Sequence, residues 1–220
     1  MNVLDSMIEE ISVSIPAGAV RLPGELAVPA GAPGVVIFAH GSGSSRRSPR
    51  NQSVAFHLQD RGLGTLLFDL LTETEEREEY FTAHFRFDIS LLAKRLMAAT
   101  DWISQQEIAR DLPIGYFGSS TGAAAALVAA AANGKARAIV SRGGRPDLAG
   151  ENLERVRAPV LLIVGGNDRQ VIDLNEQARG KLKCSHSLSI IPGATHLFEE
   201  PGALEEVARL AADFFENHFK

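Results

Sequence analysis

Short apolar segments recur along the chain and predict strands of a sheet. Ile11–Ile15 and Val20–Val28 nearly alternate apolar with small or polar residues, and Pro16-Ala17-Gly18 between them predicts an antiparallel hairpin. Later runs are continuous rather than alternating, which is typical of parallel strands buried on both faces. They are Val35–Ala39, Thr65–Phe68, Ile114–Phe117, Ala138–Val140, Val160–Val164 and Leu188–Ile191.

Helical patterns lie between these runs. They are Ser48-Pro49 to about Arg61, Ile89 to about Ile108, Ser120 to Ala132, Leu174 to Leu182, and Glu200-Pro201 to about His218. This alternation predicts one α/β domain over residues 1–220, a three-layer α/β/α sandwich with a mostly parallel sheet of about eight strands. In such sheets ligands bind beyond the carboxyl ends of the strands. The stretch Leu71 to Phe87 is read as a small lid or a solvated loop, and only a minimal cap is expected.

Composition and charge exclude several classes of protein. The formal net charge is −5, which gives no basic surface for nucleic acid. Met1 to Ile11 carries acidic residues and no long apolar run, so a signal peptide is not expected, and no stretch is long enough to span a bilayer. The single cysteine, Cys184, cannot form an internal disulfide. A cytoplasmic protein without a metal or organic cofactor is therefore predicted, since no His/Cys/Glu cluster has ligand spacing.

A G-x-S-x-G pattern follows the run Ile114–Phe117 directly and leads into an alanine-rich helix. The residues are Gly118-Ser119-Ser120-Thr121-Gly122. A tight strand-to-helix turn needs small residues on both sides of the serine, and it exposes the hydroxyl at the positive end of the helix dipole. Ser120, the central residue, is therefore predicted to be a nucleophile. The alternative is that a serine here, such as Ser119, only caps the helix.

An acid and a histidine follow two later strands. Asp168 comes after Val160–Val164, and His196 comes after Leu188–Ile191. The chain order Ser, Asp, His is the one used on this architecture, with histidine as the base and the acid holding its tautomer. Asp168 could instead be a turn residue, in which case the neighbouring Asp173 competes for its role.

The loop after Val35–Ala39 is rich in glycine and serine. It reads His40-Gly41-Ser42-Gly43-Ser44-Ser45, and His40 is expected to be structural. A tetrahedral intermediate needs backbone N–H donors, which we assign to Ser42 and Thr121. A phosphate-binding loop is the rival interpretation, although neither of its glycine patterns is present.

Several arginines are expected at the same edge of the sheet. Arg46, Arg47, Arg86 and Arg142 are candidates for binding a carboxylate or phosphate of a substrate. The alternative is that each is an ordinary surface charge or pairs with an acid of the stretch 73–79.

Taken together, these residues resemble the dienelactone-hydrolase-like branch of the α/β-hydrolase superfamily. The resemblance covers nearly the whole chain and is most specific at 40–51, 118–122 and 141–147. It implies the α/β-hydrolase fold and hydrolysis of a carboxylic ester. Authentic dienelactone hydrolases use a cysteine nucleophile, whereas this chain has Ser120, so the resemblance does not imply the dienelactone substrate. Some relatives are fused to phosphoribosyltransferase domains, and residues 1–220 show no such domain.

Three functions remain open from the sequence. The leading hypothesis is a serine esterase that acts on small esters or lactones through an acyl-enzyme on Ser120. The same triad would serve a thioesterase or a small-peptide hydrolase. The third hypothesis, from another class, is a non-catalytic hydrolase-fold protein that binds a ligand or partner. The expected partner is a small-molecule ester, and a homodimer is left open.

Overall fold

A computed structural model describes residues 9–82 and 84–220 of the chain. Its eight strands form one sheet in the order β1-β2-β4-β3-β5-β6-β7-β8. They are β1 (Glu10–Ala17), β2 (Val20–Ala27), β3 (Val35–Ala39), β4 (Gly64–Phe68), β5 (Ile114–Ser119), β6 (Ala136–Arg142), β7 (Val160–Gly165) and β8 (His186–Ile191). Both pairings of β2, with β1 and with β4, are antiparallel, and every other pairing is parallel. The mostly parallel sheet with an opening hairpin is therefore confirmed.

Helices cover both faces of the sheet. They are α1 (Pro49–Asp60), α2 (Glu73–Thr82), α3 (Ile89–Ile103), α4 (Thr121–Asn133), α5 (Arg169–Arg179) and α6 (Ala203–His218). Two 3₁₀ segments, Phe85–Phe87 and Pro146–Arg155, lie among them. Buried side chains of α1 and α6 pack on one face, and those of α3 and α4 pack on the other. This arrangement confirms the α/β/α sandwich.

The central strands carry continuous apolar runs because both faces of the sheet are buried there. Successive side chains of a strand point to opposite faces. Along β3, Val36 and Phe38 pack with the α1–α6 layer, whereas Val35 and Ile37 pack with the α3–α4 layer. On α4, Ala123 to Ala126 are fully buried, so the small side chains let this helix lie close to the sheet.

Two predicted helix boundaries are wrong. The helix from Ile89 ends at Ile103 rather than Ile108. Just after its end, the Ser104 hydroxyl donates to the Thr100 carbonyl at 2.8 Å, so a side chain satisfies one of the last carbonyls of the helix. Helix α5 begins at Arg169 instead of Leu174. Its buried face includes a polar residue, Asn175, which interrupts the apolar pattern.

The stretch 71–87 is mostly helical rather than a solvated loop, and its residues Glu79 and Arg86 border the pocket at the candidate site, as a small lid would. Helix α2 is preceded by a capping box in which the backbone N–H of Thr72 donates to Glu75 Oε2 at 2.8 Å. In return the Glu75 N–H donates to Thr72 Oγ1 at 3.3 Å. Arg95 of α3 binds both oxygens of Glu75, so α2 is tied to the body of the domain.

Candidate active site

Ser120 occupies the junction between β5 and α4 with a backbone that few side chains adopt. Its φ is +50°, and Phe198 is the other non-glycine residue with positive φ among the described positions. Its N–H donates to the Arg142 carbonyl at 3.3 Å. Its own carbonyl accepts from the N–H groups of Ala123 at 3.2 Å and Arg145 at 3.0 Å. The strained turn is thus held on both sides, as expected for a site that positions one hydroxyl.

The glycines of the G-x-S-x-G pattern are required by close backbone approach. A Cβ on Gly122 would lie 2.0 Å from the Ala39 carbonyl oxygen, and one on Gly118 would lie 2.5 Å from the Ala123 Cα. A Cβ on Gly41 would lie 2.9 Å from the Cβ of Ser120. The loop after β3 therefore packs directly against the serine.

Asp168 and His196 meet at the carboxyl edge of the sheet. Asp168 Oδ2 lies 2.6 Å from His196 Nδ1, and the side chains are 15% and 39% exposed, respectively. This contact leaves Nε2 of the imidazole as the nitrogen available for proton transfer. Asp173 is exposed on α5, so of the two acids considered from the sequence, the structure pairs Asp168 with His196.

One turn after β6 contacts both Ser120 and His196. The N–H of Arg145 donates to the Ser120 carbonyl at 3.0 Å. In the same turn, a Cβ on Gly143 would lie 3.5 Å from the His196 ring atom Cε1 and 3.2 Å from the His196 carbonyl oxygen. The serine and the histidine are therefore positioned by neighbouring residues of one short segment.

His40 fixes the loop that carries the first predicted oxyanion donor. Its Nε2 accepts the Leu70 N–H at 2.9 Å, so its proton resides on Nδ1, which lies 3.0 Å from the Gly41 carbonyl oxygen. Burial lowers the pKa of His40 below its usual value, although the hydrogen bond to Gly41 and the charge of Asp69 oppose this. The imidazole is therefore neutral near pH 7, and its role is structural.

Ser42 and Thr121 line the same small pocket beside this loop. Its volume is about 260 Å³ including the open mouth, and Leu70, Glu79 and Arg86 line it as well. The structure therefore brings both predicted donor residues to one space. The pocket has an apolar side that includes Leu70 and an ion-paired side formed by Glu79 and Arg86.

Two of the four candidate arginines are neutralised by carboxylates. Arg46 pairs with Asp69 and donates to Glu25 Oε1 at 3.3 Å. Arg86 pairs with the buried Glu79, which also accepts the Phe85 N–H at 2.7 Å. Arg86 therefore pairs with an acid of the stretch 73–79, which is the alternative to substrate binding given above. It also lines the pocket.

Arg47 and Arg142 have contrasting surroundings. Arg47 is exposed, whereas Arg142 is 8% exposed and its Nη2 lies 3.4 Å from Asn51 Oδ1. Burial and the neighbouring Arg50 lower the pKa of Arg142 to about 10. Asn51 is not among the predicted site residues, although it is the last residue of segment 40–51, one of the most specific parts of the family resemblance.

Comparison with known proteins decides the family. The model of the dienelactone hydrolase family matches residues 22–220. The chain belongs to the dienelactone hydrolase family. A crystal structure of a dienelactone hydrolase from Anabaena variabilis is 56% identical, with a TM-score of 0.95 over 97% of this chain and 99% of that chain. The family and this relative are both named as hydrolases.

Two other similar proteins show the fold or differ from this chain in length. Est1E from Butyrivibrio proteoclasticus is 17% identical with a TM-score of 0.78 over 94% of this chain and 98% of that chain, which shows the α/β-hydrolase fold alone. A Mycobacterium tuberculosis protein provisionally named a phosphoribosyl transferase is 54% identical over 215 residues, covering 97% of this chain and 48% of that protein. The chain thus spans about half the length of that relative.

No helix of the described residues, 9–82 and 84–220, is long and apolar enough to cross a membrane.

Proposed function

We propose that the chain hydrolyses small carboxylic esters, including lactones, through an acyl-enzyme on Ser120. The observation that carries this proposal is the Asp168–His196 pair, 2.6 Å apart, at the same edge of the sheet as a serine held at positive φ in a strand-to-helix turn. A serine that merely capped α4 would not need this backbone, and Ser120 makes no side-chain cap hydrogen bond.

The proposed reaction has two stages, acylation and deacylation of Ser120, and His196 and Asp168 act in both. His196 Nε2 takes the proton of the Ser120 hydroxyl as Oγ attacks the ester carbonyl, and Asp168 stabilises the imidazolium that forms. The C–O bond to the leaving alcohol then breaks, and that alcohol leaves with the proton from His196. Water, activated by the same imidazole, attacks the acyl-enzyme, releases the carboxylic acid and restores the serine.

The oxyanion formed in each stage would lie against backbone N–H groups of Ser42 and Thr121. Their placement in one pocket supports this role, because preorganised donors stabilise charge that develops during attack. Arg86 lines this pocket and Arg47 lines the neighbouring depression, and both are proposed substrate contacts. Because Arg86 is paired with Glu79, its charge is neutralised, and it would contact a substrate as a polar group.

Hydrolysis of a panel of short-chain p-nitrophenyl esters tests the proposal. Wild type should release p-nitrophenol, whereas Ser120→Ala should not, with Ser119→Ala as a matched control one position away. Thioester and peptide substrates, assayed in parallel, show whether the enzyme cleaves C–O, C–S or C–N bonds. A folded wild type with no turnover of any ester would contradict the esterase proposal and favour a non-catalytic binding function.

A further inference from the structure

We propose that the N-terminus of α1 is a phosphate-binding site, built from Arg50, Arg47 and the buried Arg142, for a free phosphate ion or a phosphate group on a substrate. The site lies in an open depression of about 830 Å³ between the loop after β3 and the start of α1. Ser44, Ser45, Arg47 and Arg50 are among the residues that line it.

The first turn of α1 offers unused backbone donors. Ser48 at the N-cap forms no side-chain cap hydrogen bond. Among the described residues, the N–H groups of Arg50 and Asn51 have no protein acceptor, while the next N–H, that of Gln52, bonds to the Ser48 carbonyl at 2.9 Å. Free N–H groups at the positive end of a helix dipole are a recurrent anion site.

A second and independent observation is the charge beneath this turn. The guanidinium of Arg142 is buried. Within residues 9–82 and 84–220, its Nη1 has no partner and its Nη2 reaches only Asn51 in the first turn, at 3.4 Å. Arg50 is the charged residue that acts on it, and the effect is repulsive. A buried cation without a counter-charge is costly to fold. An anion above the turn would offset that cost.

Arg50 contributes in the same direction. Its Nη1 pairs with Glu199 at 3.1 Å, but its Nε is buried and has no hydrogen-bond acceptor among the described residues. One donor of this side chain next to the helix start therefore lacks an acceptor there. Glu76 lies on the rim of the depression and is the carboxylate that would oppose an anion there.

The donors favour phosphate over carboxylate. Two backbone N–H groups, the guanidinium groups of Arg47 and Arg50, and the hydroxyls of Ser44 and Ser45 exceed what two carboxylate oxygens need. A phosphate presents three or four acceptor oxygens and a larger charge. The Arg142 carbonyl accepts the Ser120 N–H while its side chain reaches Asn51, so Arg142 connects the first turn of α1 with the elbow. That the phosphate belongs to a substrate rests on the proposed function, whereas binding itself does not.

Isothermal titration calorimetry with inorganic phosphate, at constant ionic strength set by chloride, tests the site. The Ser120→Ala protein is used beside wild type, so the result does not depend on esterase activity. Arg50→Gln should weaken phosphate binding by about tenfold or more, because a charge-assisted donor is lost. Glu76→Gln should strengthen binding, an effect that a purely structural role for this end of α1 would not produce.

A matched control and a second probe complete the design. Arg61→Gln removes the same charge just after the opposite end of α1, where Arg61 pairs with Asp213 and Glu216, and should leave phosphate affinity unchanged. Phenyl phosphate that binds as tightly as inorganic phosphate would identify a substrate group, and weaker binding would identify the free ion. No binding to wild type, equal affinity in wild type and Arg50→Gln, or acetate as tight as phosphate would overturn the proposal.

Discussion

Replacing Gly122 with alanine should both destabilise the protein and abolish ester hydrolysis. The new Cβ would lie 2.0 Å from the Ala39 carbonyl oxygen and 2.5 Å from that of His40. Real Cβ atoms essentially never approach within 3.0 Å, so the backbones must separate by about 1.0 Å. Because both contacts are to backbone at the end of a buried central strand, no side chain can move aside.

The cost of this overlap should be at least that of inserting a methyl group into a packed core, about 3 kcal/mol. Urea unfolding gives the free energy of unfolding, and p-nitrophenyl ester turnover gives kcat/KM. Activity falls because separation at this point moves the loop after His40 away from Thr121, so the proposed oxyanion donors no longer converge.

Gly180→Ala is the matched control for the same change. Gly180 has right-handed helical backbone, and a Cβ there would make only an ordinary 3.4 Å contact with the Gln177 carbonyl oxygen. Its free energy of unfolding should stay within about 0.5 kcal/mol of wild type or rise slightly. If Gly122→Ala unfolded like this control and kept wild-type activity, the packing explanation of the glycine pattern would be wrong.

Two other predictions concern acidic residues. Asp168→Asn should lower kcat by roughly three to four orders of magnitude, because the imidazole of His196 loses the carboxylate that holds it. Asp173→Asn should lower kcat by less than about tenfold. If steady-state kinetics gave the larger loss to Asp173→Asn, the assignment of the two acids would be reversed. Burial alone would raise the pKa of Glu75, but hydrogen bonds from Arg95 and Thr72 lower it. This carboxylate therefore stabilises the fold above its unfolded-state pKa and loses that effect as pH falls, so the deficit of Glu75→Gln in urea unfolding should be larger at pH 7 than at pH 4.

Much of the sheet and the elbow could be predicted because local sequence specifies them. The run Ile114–Phe117 is apolar, a glycine follows it at the point of closest approach, and small alanines continue into the helix. Each of these features is a direct steric requirement of a buried strand and a tight turn. The positions of Asp168 and His196 followed from the same rule, since each comes directly after a parallel strand.

Features that depend on distant partners could not be predicted in this way. Arg46 is neutralised by Asp69, which is 23 residues away in the chain, and helix α2 is tied down by Arg95 of α3. Asn175 of α5 is buried, and its side-chain amide donates to the Gly144 carbonyl at 3.0 Å. In each case a contact formed by the fold satisfies a polar group that looks solvent-exposed in sequence.

The central claim, that Ser120 is an activated nucleophile, is tested most directly by covalent labelling with a fluorophosphonate and peptide mapping by mass spectrometry. The account predicts one label, on Ser120, in the folded wild type, and its loss in His196→Ala. A folded wild type that stays unlabelled, or a label on another serine, would contradict it.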